Sequence, residues 1–172
     1  MTDQSHAHLL EIQELGHEAR VHNDDHAALK LWLRLLSCTT QLENEVRRRL
    51  RQKFGVSLAR FDYMAQLYRF RGGLKMRDLS RYLMVTGGNV TGLTDELVRE
   101  GLVVREASDT DKRSRIVRLT PKGRKAFEAM AQAHEEWILE LFGDLSDRNI
   151  QQLYRLLGVL RVQLQKNIQE QQ

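Results

Sequence analysis

Two short stretches of this 172-residue chain carry side chains suited to binding a nucleic acid. The first, TGGNVTGLT (86–94), offers hydroxyl and amide groups that hydrogen-bond to base edges. The second, DKRSR (111–115), offers cationic groups that phosphates attract. From these stretches we expect DNA contacts from Thr86, Gly88, Asn89, Thr91, Thr94, Lys112, Arg113 and Arg115.

The glycines of the first stretch need a reason, because Gly inside a helix costs up to about 1 kcal/mol relative to Ala. One reason is functional: a position without a side chain lets the backbone approach phosphates or bases closely. The alternative is that Gly87 and Gly88 belong to a turn and that Gly92 permits close helix packing. Both explanations stay open on the sequence alone.

The second stretch suits a minor groove, whose negative potential attracts an inserted arginine. Arg113 follows the tip of a predicted turn, and Asp111 is near enough to orient its guanidinium group. A solvated charged turn is the alternative. If the following strand is regular, we expect Arg115 and Arg118 to lie on one face, with a phosphate contact from Arg115.

The charge distribution supports the same assignment. Between Arg69 and Lys125 there are fourteen Lys/Arg and seven Asp/Glu, a balance of +7, whereas the rest of the chain has a balance of −3. A basic segment in an otherwise slightly acidic chain is the electrostatic footprint of phosphate-backbone binding, although solvated Lys/Arg clusters are also common.

Apolar residues at helical spacing predict six helices that position these groups. The predicted helices lie between about 25 and 54, 57 and 71, 75 and 85, 86 and 100, 121 and 142, and 147 and 168. Only a short turn separates the third from the fourth, which is typical of a helix-turn-helix. The DNA-contacting stretch 86–94 begins the fourth helix, where a recognition helix contacts base edges.

Alternation of apolar and polar residues predicts a β-hairpin after the fourth helix, with strands at 102–108 and 115–120 around the turn DTDK. The expected fold is therefore mainly α with a small β-hairpin wing, a winged helix-turn-helix plus a helical dimerisation region. We assign 57–120 to the DNA-binding domain, 26–56 and 121–172 to the dimerisation region, and 1–25 to an N-terminal arm. In the last helix, apolar residues from Ile150 to Ile168 form a seam that suits another helix.

Other classes of protein find little support. No Ser, Cys or His spacing suggests catalysis, no glycine loop suggests a nucleotide site, and the five histidines among the first 26 residues match no zinc motif. We therefore expect no enzyme, no metal and no cofactor. No run is apolar enough to span a membrane and no secretion signal opens the chain, so a cytoplasmic location is expected.

Taken together, these motifs resemble the MarR family of bacterial transcription regulators. The strongest resemblance is the wing, LVREGLVVREASDTDKRSRIVRLTPKG, with Asp111, Arg113, Leu119, Thr120 and Gly123 in family positions. Two further segments, 33–67 and 83–103, resemble the branch that regulates degradation of hydroxycinnamates and related aromatic acids. The resemblance implies a homodimer on a pseudo-palindromic double-stranded operator, with Arg113 in the minor groove.

The resemblance also implies a small aromatic effector that releases DNA: p-coumaroyl-CoA, feruloyl-CoA or a free phenolic acid. Its implied cleft lies between the dimer helices and the DNA-binding lobe. The lining candidates are Leu36, Thr40, Glu43, Tyr63, Met64, Leu67, His134, Trp137 and Ile138. His134 would hydrogen-bond a ligand phenol or carbonyl, although a core histidine satisfied by a neighbour explains it as well, and Trp137 is also a typical core residue.

Two features of the first helix leave alternatives open. Arg47 and Arg51 share a helix face and could bind CoA phosphates, but a solvated face is the simpler explanation. Cys38 is the only cysteine, which excludes an internal disulfide. We expect it to be a small buried side chain; the alternative function is a redox-sensing regulator of the same fold that uses the Cys38 thiol.

Overall fold

The computed structural model describes residues 26–83, 87–107 and 115–170. In chain order the elements are α1 (Ala27–Phe54), α2 (Leu58–Arg69), β1 (Leu74–Lys75), α3 (Met76–Leu83), α4 (Gly87–Arg99), β2 (Val103–Ala107), β3 (Arg115–Leu119), α5 (Pro121–Leu141) and α6 (Asp147–Gln169). The fold class expected from the sequence, mainly α with a small β wing, is confirmed.

Local sequence explains where the helices begin and end. Gly55 ends α1 in the left-handed conformation (φ 66°), which glycine adopts without strain. Ser57 and Ser146 cap α2 and α6, because each hydroxyl accepts a hydrogen bond from the backbone N–H three residues later. These boundaries agree with the ones expected from the sequence.

The sheet has three antiparallel strands in the order β1-β3-β2. Leu74 pairs with Val117, and Val103 pairs with Leu119. The sequence prediction placed Lys75 in the third helix and missed β1, which is too short to show alternation. The chain reaches β1 through Gly73 (φ 84°), where an added Cβ would lie 2.7 Å from the carbonyl oxygen of Val117.

The core of the DNA-binding lobe lies where α2, α3, α4 and the sheet meet. Its largest fully buried side chains are Leu50, Tyr63, Met64, Leu67, Leu79, Val90, Thr94, Leu97, Val103 and Val117. The beginning of α5 joins this core through Phe127, whose ring lies 5.5 Å from that of Phe61 and 4.9 Å from that of Tyr68. Aromatic packing therefore fixes the first turns of α5 on α2.

Hydrogen bonds and close packing also attach the start of α5 to the segment that follows α4. The Thr120 hydroxyl donates to the carbonyl of Gly101 (2.8 Å) and accepts from the N–H of Gly123 (2.9 Å). An added Cβ at Gly123 would lie only 1.9 Å from the carbonyl oxygen of Leu102. Glycine is therefore required at 123 by the closeness of the two chain segments.

By its internal contacts the chain forms two compact units, Met1–Met130 and Ala131–Gln172. These two units are defined by contacts within one chain. The domains predicted from the sequence, in contrast, include a dimerisation region for a partner subunit, and this domain assignment stays a prediction. Trp32 on α1 and Tyr82 on α3 are exposed, and α6 has no buried residue. Within the described residues no helix is long and apolar enough to cross a membrane.

Candidate nucleic-acid interface

The two faces of α4 have different roles. Val90, Thr94 and Leu97 point into the core at helical spacing and are fully buried. The exposed face carries Gly88, Asn89, Thr91, Gly92 and Asp95. Because amide, hydroxyl and bare backbone groups stand together on this face, it can offer hydrogen bonds and close approach to a partner. Thr86 lies outside the described residues.

Helix packing does not explain Gly88 or Gly92. An added Cβ at either position would meet nothing within 4 Å. The alternative that assigned Gly92 to close helix packing is therefore wrong, because that glycine faces open space. A mid-helix glycine that lowers stability and contacts no other helix is consistent with close approach of an external molecule.

Thr94 belongs to the core and not to the DNA-facing set. Its side chain is fully buried. Its hydroxyl lies 2.5 Å from the Tyr63 hydroxyl and donates to the carbonyl of Val90 at 2.6 Å. The expectation that Thr94 contacts DNA is corrected accordingly, because the apolar stripe of α4 passes through this position.

The β2–β3 ribbon presents one of the three predicted wing cations within the described residues. Arg115 is exposed at the start of β3, opposite Ala107. Lys112 and Arg113 lie outside the described residues. Arg115 stands where the ribbon leads into the predicted tip, and its guanidinium group forms no ion pair with the described residues.

Arg115 and Arg118 do not share a face. Side chains in a strand alternate, so residues three apart lie on opposite faces, and the expectation that both point the same way is wrong. Arg118 lies on the face of Ile116 and forms an ion pair with Glu106. The charge of Arg118 is therefore partly neutralised. Arg115 lies on the opposite face of the strand, together with Val117.

An ion pair that the sequence did not suggest connects the ribbon to α4. The Arg105 guanidinium donates to the Asp95 carboxylate at 2.5 Å. Asp95 is also at the exposed face of α4, so this pair links the ribbon to the helix beside the proposed contact surface. The charge balance of the segment indicated basic residues but not which of them pair internally.

Further cations lie on the helix-turn-helix itself. Arg71, in the turn before β1, and Arg77, in the first turn of α3, are exposed and form no ion pair with the described residues. The first helix of a helix-turn-helix crosses the phosphate backbone. The positive balance of residues 69–125 was the feature of the sequence that could have identified these two arginines.

The predicted ligand-lining residues fall into three groups. On α1, Leu36, Thr40 and Glu43 follow one another on one helix face; Leu36 is half-buried and the other two are exposed. On α2, the group of Tyr63, Met64 and Leu67 is fully buried in the core. These three side chains therefore offer no surface to a ligand in this conformation.

The third group lies on α5 in the second unit. His134, Trp137 and Ile138 share one helix face; Trp137 is buried and the other two are half-buried. His134 has an interaction partner in the structure, in agreement with the alternative of a satisfied histidine. Ile138 also lines an apolar groove of about 430 Å³ with Phe142, Leu145 and neighbouring residues.

Arg47 and Arg51 line an open groove of about 330 Å³ together with Glu43, Ser57 and the first residues of α2. Arg47 is exposed and forms an ion pair with Glu43 at 3.4 Å. The neighbouring arginines are occupied differently, because Arg48 and Arg49 both bind Glu45. Arg51 therefore remains the cation of this groove with no ion pair to the described residues.

Cys38 is exposed on α1, so the expectation of a buried side chain is wrong for this chain. It lies next to Thr39, whose hydroxyl donates to the carbonyl of Leu35 at 2.6 Å. Within the described residues no cluster of three or more His, Cys, Asp or Glu side chains could hold a metal ion.

Comparison with known proteins gives a consistent result. A family model described as "MarR family" matches residues 54–114. The transcriptional activatory protein BadR of Rhodopseudomonas palustris is 32% identical over 137 residues, which is 77% of this chain and 78% of BadR. The transcriptional repressor YetL of Bacillus subtilis is 27% identical, and the match covers 89% of this chain and 92% of YetL.

A solved structure extends the similarity to the fold. The crystal structure of a MarR family transcriptional regulator from Silicibacter pomeroyi matches with 34% sequence identity and a TM-score of 0.67. The match covers 83% of this chain and 99% of that one. The family-model match, residues 54–114, includes α4 and β2 and ends just before β3.

Proposed function

This chain belongs to the MarR family, whose members are DNA-binding transcription regulators and not enzymes, and on that premise we propose that it is a ligand-released repressor of aromatic-acid catabolism genes. The observation that carries this proposal is the exposed face of α4, where polar side chains alternate with open glycines beside the basic ribbon. DNA offers the phosphates and base edges that these groups bind.

The regulator acts as a homodimer on a pseudo-palindromic operator. The support is α6, where Leu153, Leu157 and Leu164 are exposed although they form an apolar seam. Such a seam is unfavourable in water and suits a partner helix. The groove of about 430 Å³ at the start of α6 adds further apolar surface for the partner subunit.

The effector is a hydroxycinnamate or its CoA thioester. The support comes from α1, whose single face runs from Leu36 through Thr40 and Glu43 to Arg47 and Arg51. This order would present apolar and hydroxyl groups to an aromatic ring and guanidinium groups to phosphates. The ligand binds best to a dimer conformation in which the spacing of the two DNA-binding lobes does not match successive major grooves. The difference between the ligand's affinities for this conformation and for the DNA-binding conformation limits how far DNA binding can weaken.

DNA binding is tested by fluorescence anisotropy with the promoter region of the protein's own gene. We expect binding that weakens with salt by a slope of about −0.9 per neutralised phosphate. Arg113→Ala and Arg115→Ala should each weaken operator binding without altering effector affinity. No salt-dependent binding would overturn the proposal, and equal losses of both affinities would overturn the division between DNA and ligand residues.

The effector is tested by calorimetric titration with p-coumaroyl-CoA, feruloyl-CoA and the matching free acids. If the thioester is sensed, Arg47→Ala/Arg51→Ala should lose thioester affinity and keep the affinity for any free acid that binds. The matched control is Arg48→Ala, because Arg48 is bound to Glu45. Equal thioester affinity in all three proteins would exclude phosphate binding by these two arginines.

The direction of regulation is tested separately, because one relative is named an activator and another a repressor. We expect in vitro transcription from the promoter to fall when the protein is added and to recover with the effector. A rise would reassign the protein as an activator.

The comparisons do not favour the alternative of redox sensing by Cys38. Cys38→Ser should therefore bind the operator as tightly as the wild type, with and without peroxide.

A further inference from the structure

One hydroxyl interrupts the apolar stripe of α4. Val90 and Leu97 are buried on this stripe as expected, but Thr94 between them is also fully buried. A buried hydroxyl without a partner is costly, because it loses its hydrogen bonds to water. Thr94 is satisfied by Tyr63 of α2, a residue 31 positions earlier in the chain.

The hydrogen bonds around Thr94 form a directed chain. Its hydroxyl has one proton, which it donates to the carbonyl of Val90 at 2.6 Å. The Tyr63 hydroxyl, 2.5 Å away, must then be the donor to Thr94 Oγ1. A tyrosine phenol is protonated at neutral pH and can donate, and burial raises the pKa of Tyr63 further, to about 12.

The hydrogen bond from Tyr63 to Thr94 restrains rotation of α4 about its helix axis. A rotation of about 20° would move an atom at the side-chain radius of about 6 Å by about 2 Å, which breaks a hydrogen bond. The same rotation would move the exposed side chains of Asn89 and Thr91, the sequence neighbours of the buried Val90, by a similar distance. The buried Tyr63–Thr94 hydrogen bond and the proposed DNA contacts therefore depend on the same rotation angle of α4.

The other polar links to this part of the lobe are less restrictive. Asp95 binds Arg105, and Glu100, just after α4, binds Arg60. Both acidic side chains are about half exposed, and such pairs use long side chains that adapt and are screened by salt. The Tyr63–Thr94 bond is short, buried and directional, so it fixes the angle more tightly.

We propose that Tyr63 is a positioning residue for DNA recognition, which acts through Thr94 to set the axial rotation of α4. The proposal rests on the proposed function in that α4 contacts the operator. A Phe–Val pair of nearly the same shape would fill the same space without a hydroxyl. The polar pair therefore adds a directional restraint that apolar packing lacks.

The test compares Tyr63→Phe, Thr94→Val and the double variant with the full-length wild type. Affinities for the promoter DNA and for unrelated DNA of equal length are measured by anisotropy, and stability is measured by thermal unfolding. The matched control is Tyr68→Phe, which removes a hydroxyl from the same helix; that hydroxyl donates to the exposed Glu128 of α5.

We expect Tyr63→Phe to weaken promoter binding about three- to tenfold, the size of one hydrogen bond, and to leave the affinity for unrelated DNA unchanged. The double variant should regain wild-type stability, because no buried hydroxyl remains unpaired, but should keep the weaker promoter binding. Tyr68→Phe should match the wild type in both DNA affinities.

Recovery of promoter affinity together with stability in the double variant would overturn the proposal, because the pair would then be merely structural. Wild-type promoter affinity in Tyr63→Phe would overturn it as well. A wild-type protein that binds promoter and unrelated DNA equally would overturn the proposed function, and this inference with it. If Tyr63→Phe fails to fold, the double variant alone decides, since its apolar pair leaves no unpaired hydroxyl.

Discussion

Gly92 lies in the middle of α4, and an added Cβ there would meet no atom within 4 Å. Stability alone therefore favours alanine at this position. We predict that Gly92→Ala raises the free energy of unfolding by about 0.5–1 kcal/mol, because alanine is the better helix former. The same variant should bind the operator more weakly, because the added methyl group stands on the proposed contact face.

Chemical denaturation and operator anisotropy, measured on one preparation, check both halves of this expectation. A variant that gains stability and keeps full operator affinity would show that the DNA does not approach this part of α4 closely.

The carboxylate of Glu45 provides a prediction on pH. Hydrogen bonds from Arg48 and then from Arg49 lower its pKa from 4.5 to about 2. A lowered pKa in the folded state means that the stabilising contribution is present above pH 4.5 and is lost as the pH falls from 4.5 toward 2. We expect the carboxyl ¹³C resonance of Glu45 to titrate near pH 2, and Glu45→Gln to lack that transition. A midpoint near 4.5 would show that these ion pairs do not persist in solution.

Residue roles on α4 were only partly predictable. The sequence indicated the polar stretch, and the structure leaves Gly88, Asn89 and Thr91 on the exposed face. Thr94 was assigned to the wrong face because its type matches Thr91, and only the position of Tyr63 in space explains why a hydroxyl is buried there. A partner from a distant segment cannot be inferred from local spacing.

At the scale of elements, the junction of α4 and α5 gives the most direct prediction. An added Cβ at Gly123 would stand 1.9 Å from the Leu102 carbonyl oxygen. We expect Gly123→Ala to lower the free energy of unfolding by about 1–3 kcal/mol, because the two segments must separate. Gly92→Ala, the same substitution at an open position, is the matched control. Equal stability changes in the two variants, measured by thermal unfolding, would contradict the close approach.

The helices and the two long strands could be predicted because caps, glycine stops and periodicity mark them locally. The strand β1 could not, because two residues carry no period and its formation depends on pairing with Val117 and Ile116. The faces of Arg115 and Arg118 were also assigned wrongly, although strand alternation alone was sufficient to separate them. What the sequence did not predict therefore depends mainly on pairing between residues that are distant along the chain.

At the scale of the whole molecule, the exposed seam of α6 predicts association. Leu157→Arg should raise the dimer dissociation constant about 30-fold or more, because a charge would be buried at the centre of an apolar interface. Gln151→Arg adds the same charge to the same helix outside the seam and is the matched control. Size-exclusion chromatography with light scattering measures both; an unchanged dimer in Leu157→Arg would place the interface elsewhere.

The separation of the two faces of α4 has a consequence for how such a regulator can change over time. Val90, Thr94 and Leu97 maintain the fold, while Gly88, Asn89, Thr91 and Gly92 are exposed. Substitutions on the second set leave the first untouched, so new operator preferences are accessible by single mutations that do not unfold the protein. Such a helix is highly evolvable, and a gene duplicate could acquire a different set of target promoters while its core stays unchanged.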